Sequence, residues 1–204
     1  FRRVLFRSIH EGFCTYSEVL YVECMYGYDQ MLDYVNNQKR FIRNKSPIVG
    51  HYHVNHQGSG DMYQKASVML HTLRTLIEDD ELWFSIIREI SDKYKYKTVD
   101  AQDIMDYIIQ RSGCNLTDFF SQYLNYSALP EFQYKLVREG RNITLMYRWE
   151  AIKEFDMPIL VNSGNEDFWI FPNSDWKEMS LGKIDSRDFK VKEDLFLLDI
   201  KKVR

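Results

Sequence analysis

The spacing of apolar residues changes once along the chain, near Ala128 to Pro130, and no other feature constrains the fold as much. Before that point apolar residues recur every three or four positions. Met62, Ala66, Met69, Leu70, Leu73, Leu76 and Ile77 make one such amphipathic stripe. After it they alternate: Phe132, Tyr134 and Leu136, then Ile143, Leu145, Tyr147 and Trp149, with Gly140 to Asn142 as the turn of a hairpin. The chain therefore reads as α+β, with helices over 9–128 and a small β-sandwich over 129–204.

Within the helical part, residues 12–40 are expected to be helical with Gly27 as a joint between two helices. Residues 44–60, with Pro47, Gly50, Gly58 and Gly60, read as a loop. Helices follow over 62–77, 82–90 and 101–111, the last opened by Asp100 with Asp103 and closed by Gly113. Asn115 with Asp118 is expected to cap one more, ending near Leu124. Further strands fit at 158–161, 168–171, 189–191 and 195–200.

Charge and cysteine content narrow the partners. Lys plus Arg is 27 against 30 Asp plus Glu, a formal net charge of −3. No basic excess is present to hold a polyphosphate backbone, so nucleic acid is not an expected partner. No apolar run reaches the length of a membrane span. The three Cys, at 14, 24 and 114, form no CxxC pair. Cys14 and Cys24 lie on one helix about 15 Å apart, too far to bridge, and all three are expected as buried thiols.

The first eight residues, FRRVLFRS, carry three Arg and no acid. One reverse translation of them resembles a sequencing-library adapter, so the natural chain is expected to enter at about Ile9; the alternative is a genuine basic N-terminal arm. Removing those three Arg takes the net charge from −3 to −6.

Three groups have residues suited to chemistry. His10-Glu11-Gly12-Phe13 stands at an expected helix start, where Glu11 taken alone is a first-turn acid favoured by the helix dipole. Glu18 follows two turns later on the same face. Gly58-Ser59-Gly60-Asp61-Met62-Tyr63 delivers a phenol into the first turn of a helix, suited either to packing or to donating a hydrogen bond to an oxyanion. His51, His53 and His56 form HxHxxH, either solvated loop histidines or a metal site.

Together these segments resemble the zinc aminopeptidases of the aminopeptidase N type, the thermolysin-like gluzincins. The residues carrying the resemblance are Ile9-His10-Glu11-Gly12-Phe13-Cys14-Thr15-Tyr16-Ser17-Glu18, then Tyr63-Gln64-Lys65-Ala66 and Leu70-His71-Thr72-Leu73-Arg74. The resemblance covers Ile9 to about Leu124 by motif and the β half by architecture. It implies a thermolysin-like catalytic helical part followed by an immunoglobulin-like β domain, and a peptide substrate. It also implies Zn as cofactor with Glu11 as third ligand, Tyr63 as the catalytic oxyanion donor and Glu18 behind a ligand histidine. In that family the third ligand follows an HExxH pair, which supplies two His ligands and the general base. HExxH would fall upstream of this chain, so the chain is expected to be an incomplete part of an aminopeptidase, inactive as given. The alternatives are a non-catalytic α+β interaction module or degenerate peptidase-like scaffold, and a distinct metalloprotein built on His51, His53 and His56.

Deleting residues 1–8 is expected to leave the melting temperature and far-UV circular dichroism unchanged. A loss beyond about 1 kcal/mol in urea unfolding would show that the segment packs, against the adapter reading.

Overall fold

The structure, a computed structural model, describes residues 3–49, 59–164 and 166–203. Helices and strands are both present, in two compact units: Phe1–Ala128 with Asp194–Leu197, and Leu129–Glu193 with Leu198–Arg204.

Among the described residues, six α-helices build the first unit. Helix α1 (Arg3–Tyr26) and α2 (Tyr28–Gln38) form an antiparallel pair joined at Gly27, whose φ of 89° is open to glycine and strained for a side chain. Val19 of α1 and Met31 and Val35 of α2 are wholly buried. Because α1 begins at Arg3, Glu11 lies well inside a helix and is not the first-turn acid that sequence spacing implies. Helix α4 (Asp80–Tyr94) starts at Asp79, whose side chain accepts the Leu82 N–H at 2.9 Å. Helix α5 (Ala101–Ser112) opens with the Asp100 N–H donating to Asp103 Oδ2 at 2.9 Å and ends on left-handed Gly113. Helix α6 (Thr117–Asn125) departs from expectation. Its cap position is Leu116, which makes no side-chain bond, so Asn115 is not the cap.

Helix α3 (Gln64–Ile77) is the centre of this unit, and here the sequence pattern misleads. Every residue from Lys65 to Arg74 is buried, so α3 is not an amphipathic surface helix. Lys65, Thr72 and Arg74 make interior bonds instead. Arg74 is the clearest case. Its guanidinium takes both carboxylate oxygens of Glu23 on α1 at 2.5 and 2.8 Å and both of Asp80 on α4 at 2.7 Å. Burial alone would weaken its protonation, but the Asp80 and Glu23 hydrogen bonds outweigh it and raise its pKa. Thr72 Oγ1 accepts the Leu197 N–H at 2.9 Å, and the Tyr123 hydroxyl donates to the Leu197 carbonyl. Residues 194–197 therefore pack with the helices, although 195–200 reads as strand. Phe196 and Leu197 are both 1% exposed. Two of the three cysteines also differ from expectation. Cys14 and Cys24 are exposed, since they fall on the side of α1 away from buried Tyr16 and Val19, and Cys114 is half-buried.

Among the described residues, the second unit holds seven strands in two sheets. Strands β1 (Glu131–Glu139) and β2 (Asn142–Glu150) pair in register along their whole length across a turn at Gly140, as the alternation predicts. Strand β7 (Asp199–Lys202) adds to β1 in parallel and β5 (Lys177–Gly182) to β2 antiparallel, in the order β5-β2-β1-β7. Strands β4 (Asp167–Ile170), β3 (Ile159–Ser163) and β6 (Phe189–Val191) form the other sheet in that order. Ile143, Leu145, Tyr147 and Trp149 point into its core, and Trp149 packs edge-on against Phe132 and Phe155. Tyr134 of the first sheet meets Phe189 of the second at 5.3 Å between ring centres. Among the described residues, no helix is long and apolar enough to cross a membrane.

His71 on α3 is 1% exposed, and neither ring nitrogen has a hydrogen-bond partner among the described residues. Burial, then the nearby positive charges of Arg74 and Lys39, push its pKa down to about 4. The unfolded chain binds this proton at the ordinary value of about 6.5, so stability is full above that and falls as pH drops toward 4. Urea unfolding at pH 7 and 4.5 should show a pH-dependent loss about 2 kcal/mol smaller in His71→Leu than in the unsubstituted protein. Equal losses in the two proteins would contradict the buried neutral histidine.

Candidate active site

The residues singled out by sequence lie on α1, on a single 3-10 turn (Gly60–Met62) and at the start of α3. What joins these elements is Gly12. A methyl group built there would stand 2.6 Å from the Ala66 Cβ and 3.6 Å from the Met62 carbonyl oxygen. Only glycine permits α1 to approach so closely. Glu11 precedes Gly12 and Tyr63 follows Met62, so this backbone contact brings their two segments together across a separation of some fifty residues.

Glu11 is half-buried and Tyr63 is 36% exposed. The helix holds Glu11 from below, its carbonyl accepting the Thr15 hydroxyl at 2.9 Å. One turn on, Tyr16 is buried edge-on against Trp83, and burial lifts its phenol to about 12. Glu18 is exposed, and its Oε2 accepts the Tyr34 hydroxyl at 2.9 Å, which ties α1 to α2. That bond, followed by partial burial, raises the Tyr34 pKa. His51, His53 and His56 lie outside the described residues.

Beneath Gly12 lies an apolar cavity lined by Phe13, Met69, Leu70, Ile108 and Phe120, with a volume of about 10 Å³. That is barely the space of one water, so it does not receive a substrate side chain. Among the described residues, no three of His, Cys, Asp and Glu converge as a metal site. A catalytic zinc takes three protein ligands. The described residues therefore do not by themselves fit zinc: Glu11 offers one carboxylate. What the arrangement does offer is a carboxylate and a phenol donor on adjoining segments, both reachable from solvent.

Sequence reasoning gave no role to Asp61 and Lys65, which flank Tyr63. Asp61 is 2% exposed and Lys65 is 0% exposed. Their signal was present: opposite charges one turn apart, on either side of Met62, Tyr63 and Gln64.

No family model matches the chain, and no curated protein sequence matches it either. Among solved structures it is similar to Legionella pneumophila aminopeptidase A, determined in complex with aspartic acid, with a TM-score of 0.76 and 17% identity. The similarity covers 97% of this chain and 24% of that one. The chain thus spans about a quarter of its neighbour's length, and at this identity the likeness is one of fold, a peptidase-like fold.

The close contact at Gly12 has a direct test. Gly12→Ala should cost about 1–3 kcal/mol in urea unfolding, because the added methyl overlaps Ala66. Combining it with Ala66→Gly should restore most of that loss. Strict additivity of the two changes would show that α1 and α3 do not meet there.

Proposed function

We propose that the chain belongs to a zinc-dependent aminopeptidase that removes N-terminal residues from peptides. On this reading the helical unit is part of a thermolysin-like catalytic domain and the β unit is its immunoglobulin-like companion. The fold shared with an aminopeptidase supports it. The observation that carries it is the Gly12–Ala66 approach, which sets a helix bearing Glu11 against the turn bearing Tyr63.

The roles of this chain's own residues follow from their chemistry. Glu11 is a carboxylate ligand for zinc; the remaining two ligands and the general base must come from outside the described residues. Zinc, when bound, supplies Lewis-acid activation of water and carbonyl. Tyr63 is an exposed donor able to place its O–H against the oxygen that becomes negative when the peptide carbonyl turns tetrahedral. Glu18, whose carboxylate accepts the Tyr34 hydroxyl and ties α1 to α2, would on the same reading stand behind a ligand histidine.

In the longer protein of which the chain is a part on this reading, Glu11→Gln should lower zinc content and turnover together. Tyr63→Phe should lower kcat roughly 100-fold or more while zinc content stays unchanged. Hydrolysis of an aminoacyl chromogenic amide and metal analysis read both. Full rate in Tyr63→Phe would reject its role, and full zinc and rate in Glu11→Gln would reject the ligand.

A further inference from the structure

We infer that Asp61 and Lys65 are positioning residues for Tyr63, two buried charged side chains that pin the turn carrying the phenol from opposite sides. The inference rests on the reading of Tyr63 as the oxyanion donor. Tyr63 sits where a 3-10 turn becomes α3, with φ −83° and ψ −79°. Its own N–H reaches the Gly60 carbonyl only at 3.5 Å, a long bond, and its side chain is 36% exposed. Its carbonyl accepts the Ser67 N–H at 3.0 Å, which fixes its α3 side, while its N–H side is held loosely, so the flanking residues add what the turn itself lacks.

On one flank the Asp61 carboxylate accepts the Arg43 N–H at 2.8 Å and the Asn44 N–H at 2.7 Å. Charged acceptors bond backbone N–H groups strongly, so the turn is tied to the segment after α2. On the other flank the Lys65 ammonium donates to the Tyr126 carbonyl at 3.0 Å and the Ser127 carbonyl at 2.9 Å, just beyond the end of α6. A buried ammonium is costly unless bonded, and methionine would fill the same space without that cost. What lysine adds is a directed grip on two successive carbonyls. Burial pushes its pKa down to about 8, and the neighbouring Asp61 charge opposes that shift. Loss of the proton removes the charge that strengthens both bonds.

The test uses the full chain with Tyr63 replaced by para-fluorophenylalanine, whose ring does not titrate, read by fluorine NMR from pH 6 to 10. The resonance should shift with an inflection near pH 8. In Lys65→Met the inflection should vanish and the line should narrow and move toward its unfolded position, with the far-UV spectrum retained. Asp61→Asn should displace the line and keep the inflection. A flat titration, or a Lys65→Met line identical to the parent's, overturns the inference. If Lys65→Met fails to fold, the parent titration decides alone. None of these signals reads hydrolysis, so a mobile ring in Lys65→Met beside full kcat in Tyr63→Phe would keep the clamp and reject the catalytic reading.

Discussion

A guanidinium in the interior of a protein has to be paired, and Arg74 is paired with two helices at once. Its side chain is 4% exposed, while its partners are wetter, Glu23 at 21% and Asp80 at 62%. The pair with Glu23 is therefore the desolvated half, where losing one partner is costly, and the Asp80 half is partly screened by water. The geometry matters beyond its energy. A forked donor with both forks filled fixes rotation as well as distance. With Arg74 set, α1 cannot rotate about its axis relative to α3. Gly12, eleven residues before Glu23 on the same helix, is then held against Ala66. The candidate site is thus set by two contacts on one pair of helices, a charged clasp at one level and a backbone approach at another.

Period and punctuation made much of this legible in the sequence. Gly27 as a joint, the Asp100–Asp103 start, the Gly113 stop and the β1–β2 hairpin all follow from local chemistry, and all are present. What was not legible depends on contacts distant in sequence. Strand β5, KEMSLG, has only Met179 and Leu181 to mark it; it is recognised as a strand by pairing with β2 rather than by its own pattern. Residues 194–197 carry the apolar run Leu195-Phe196-Leu197, which reads as strand, yet it packs with Thr72 and Tyr123 of the helical unit. Short apolar runs do not reveal which neighbour buries them. Leu116 replaces Asn115 at the start of α6 because the helix begins two residues after the asparagine, beyond the reach of its side chain.

For the site, spacing placed Glu11 and Tyr63 on helical segments and could say nothing of their proximity. The link is Gly12, and a glycine inside a helix ordinarily reads as a weakness of about 1 kcal/mol. Here it is a clearance. The same inversion applies to Cys14 and Cys24, apolar enough to be assigned to the core yet lying on the exposed side of α1.

The sharpest lesson lies in α3. A stretch with Lys65, Ser67, His71, Thr72 and Arg74 among its apolar residues has the composition of a helix half in water, and α3 has none of its middle in water. Hydrophobic periodicity measures which residues avoid solvent; it does not measure which polar residues can do without it. Three of these five carry a side chain that bonds to the backbone or to another charge, and those bonds reach different neighbours. Lys65 reaches the chain beyond α6, Thr72 its own helix and residue 197, and Arg74 both α1 and α4, while Ser67 and His71 have no side-chain hydrogen-bond partner among the described residues. A central helix made wholly of leucine would bury as much surface, but it would leave its neighbours free to slide, since apolar contacts have no direction. The polar residues of α3 supply that direction. A site assembled from segments some fifty residues apart needs registration of this kind, and the turn bearing Tyr63 opens directly into the helix that provides it.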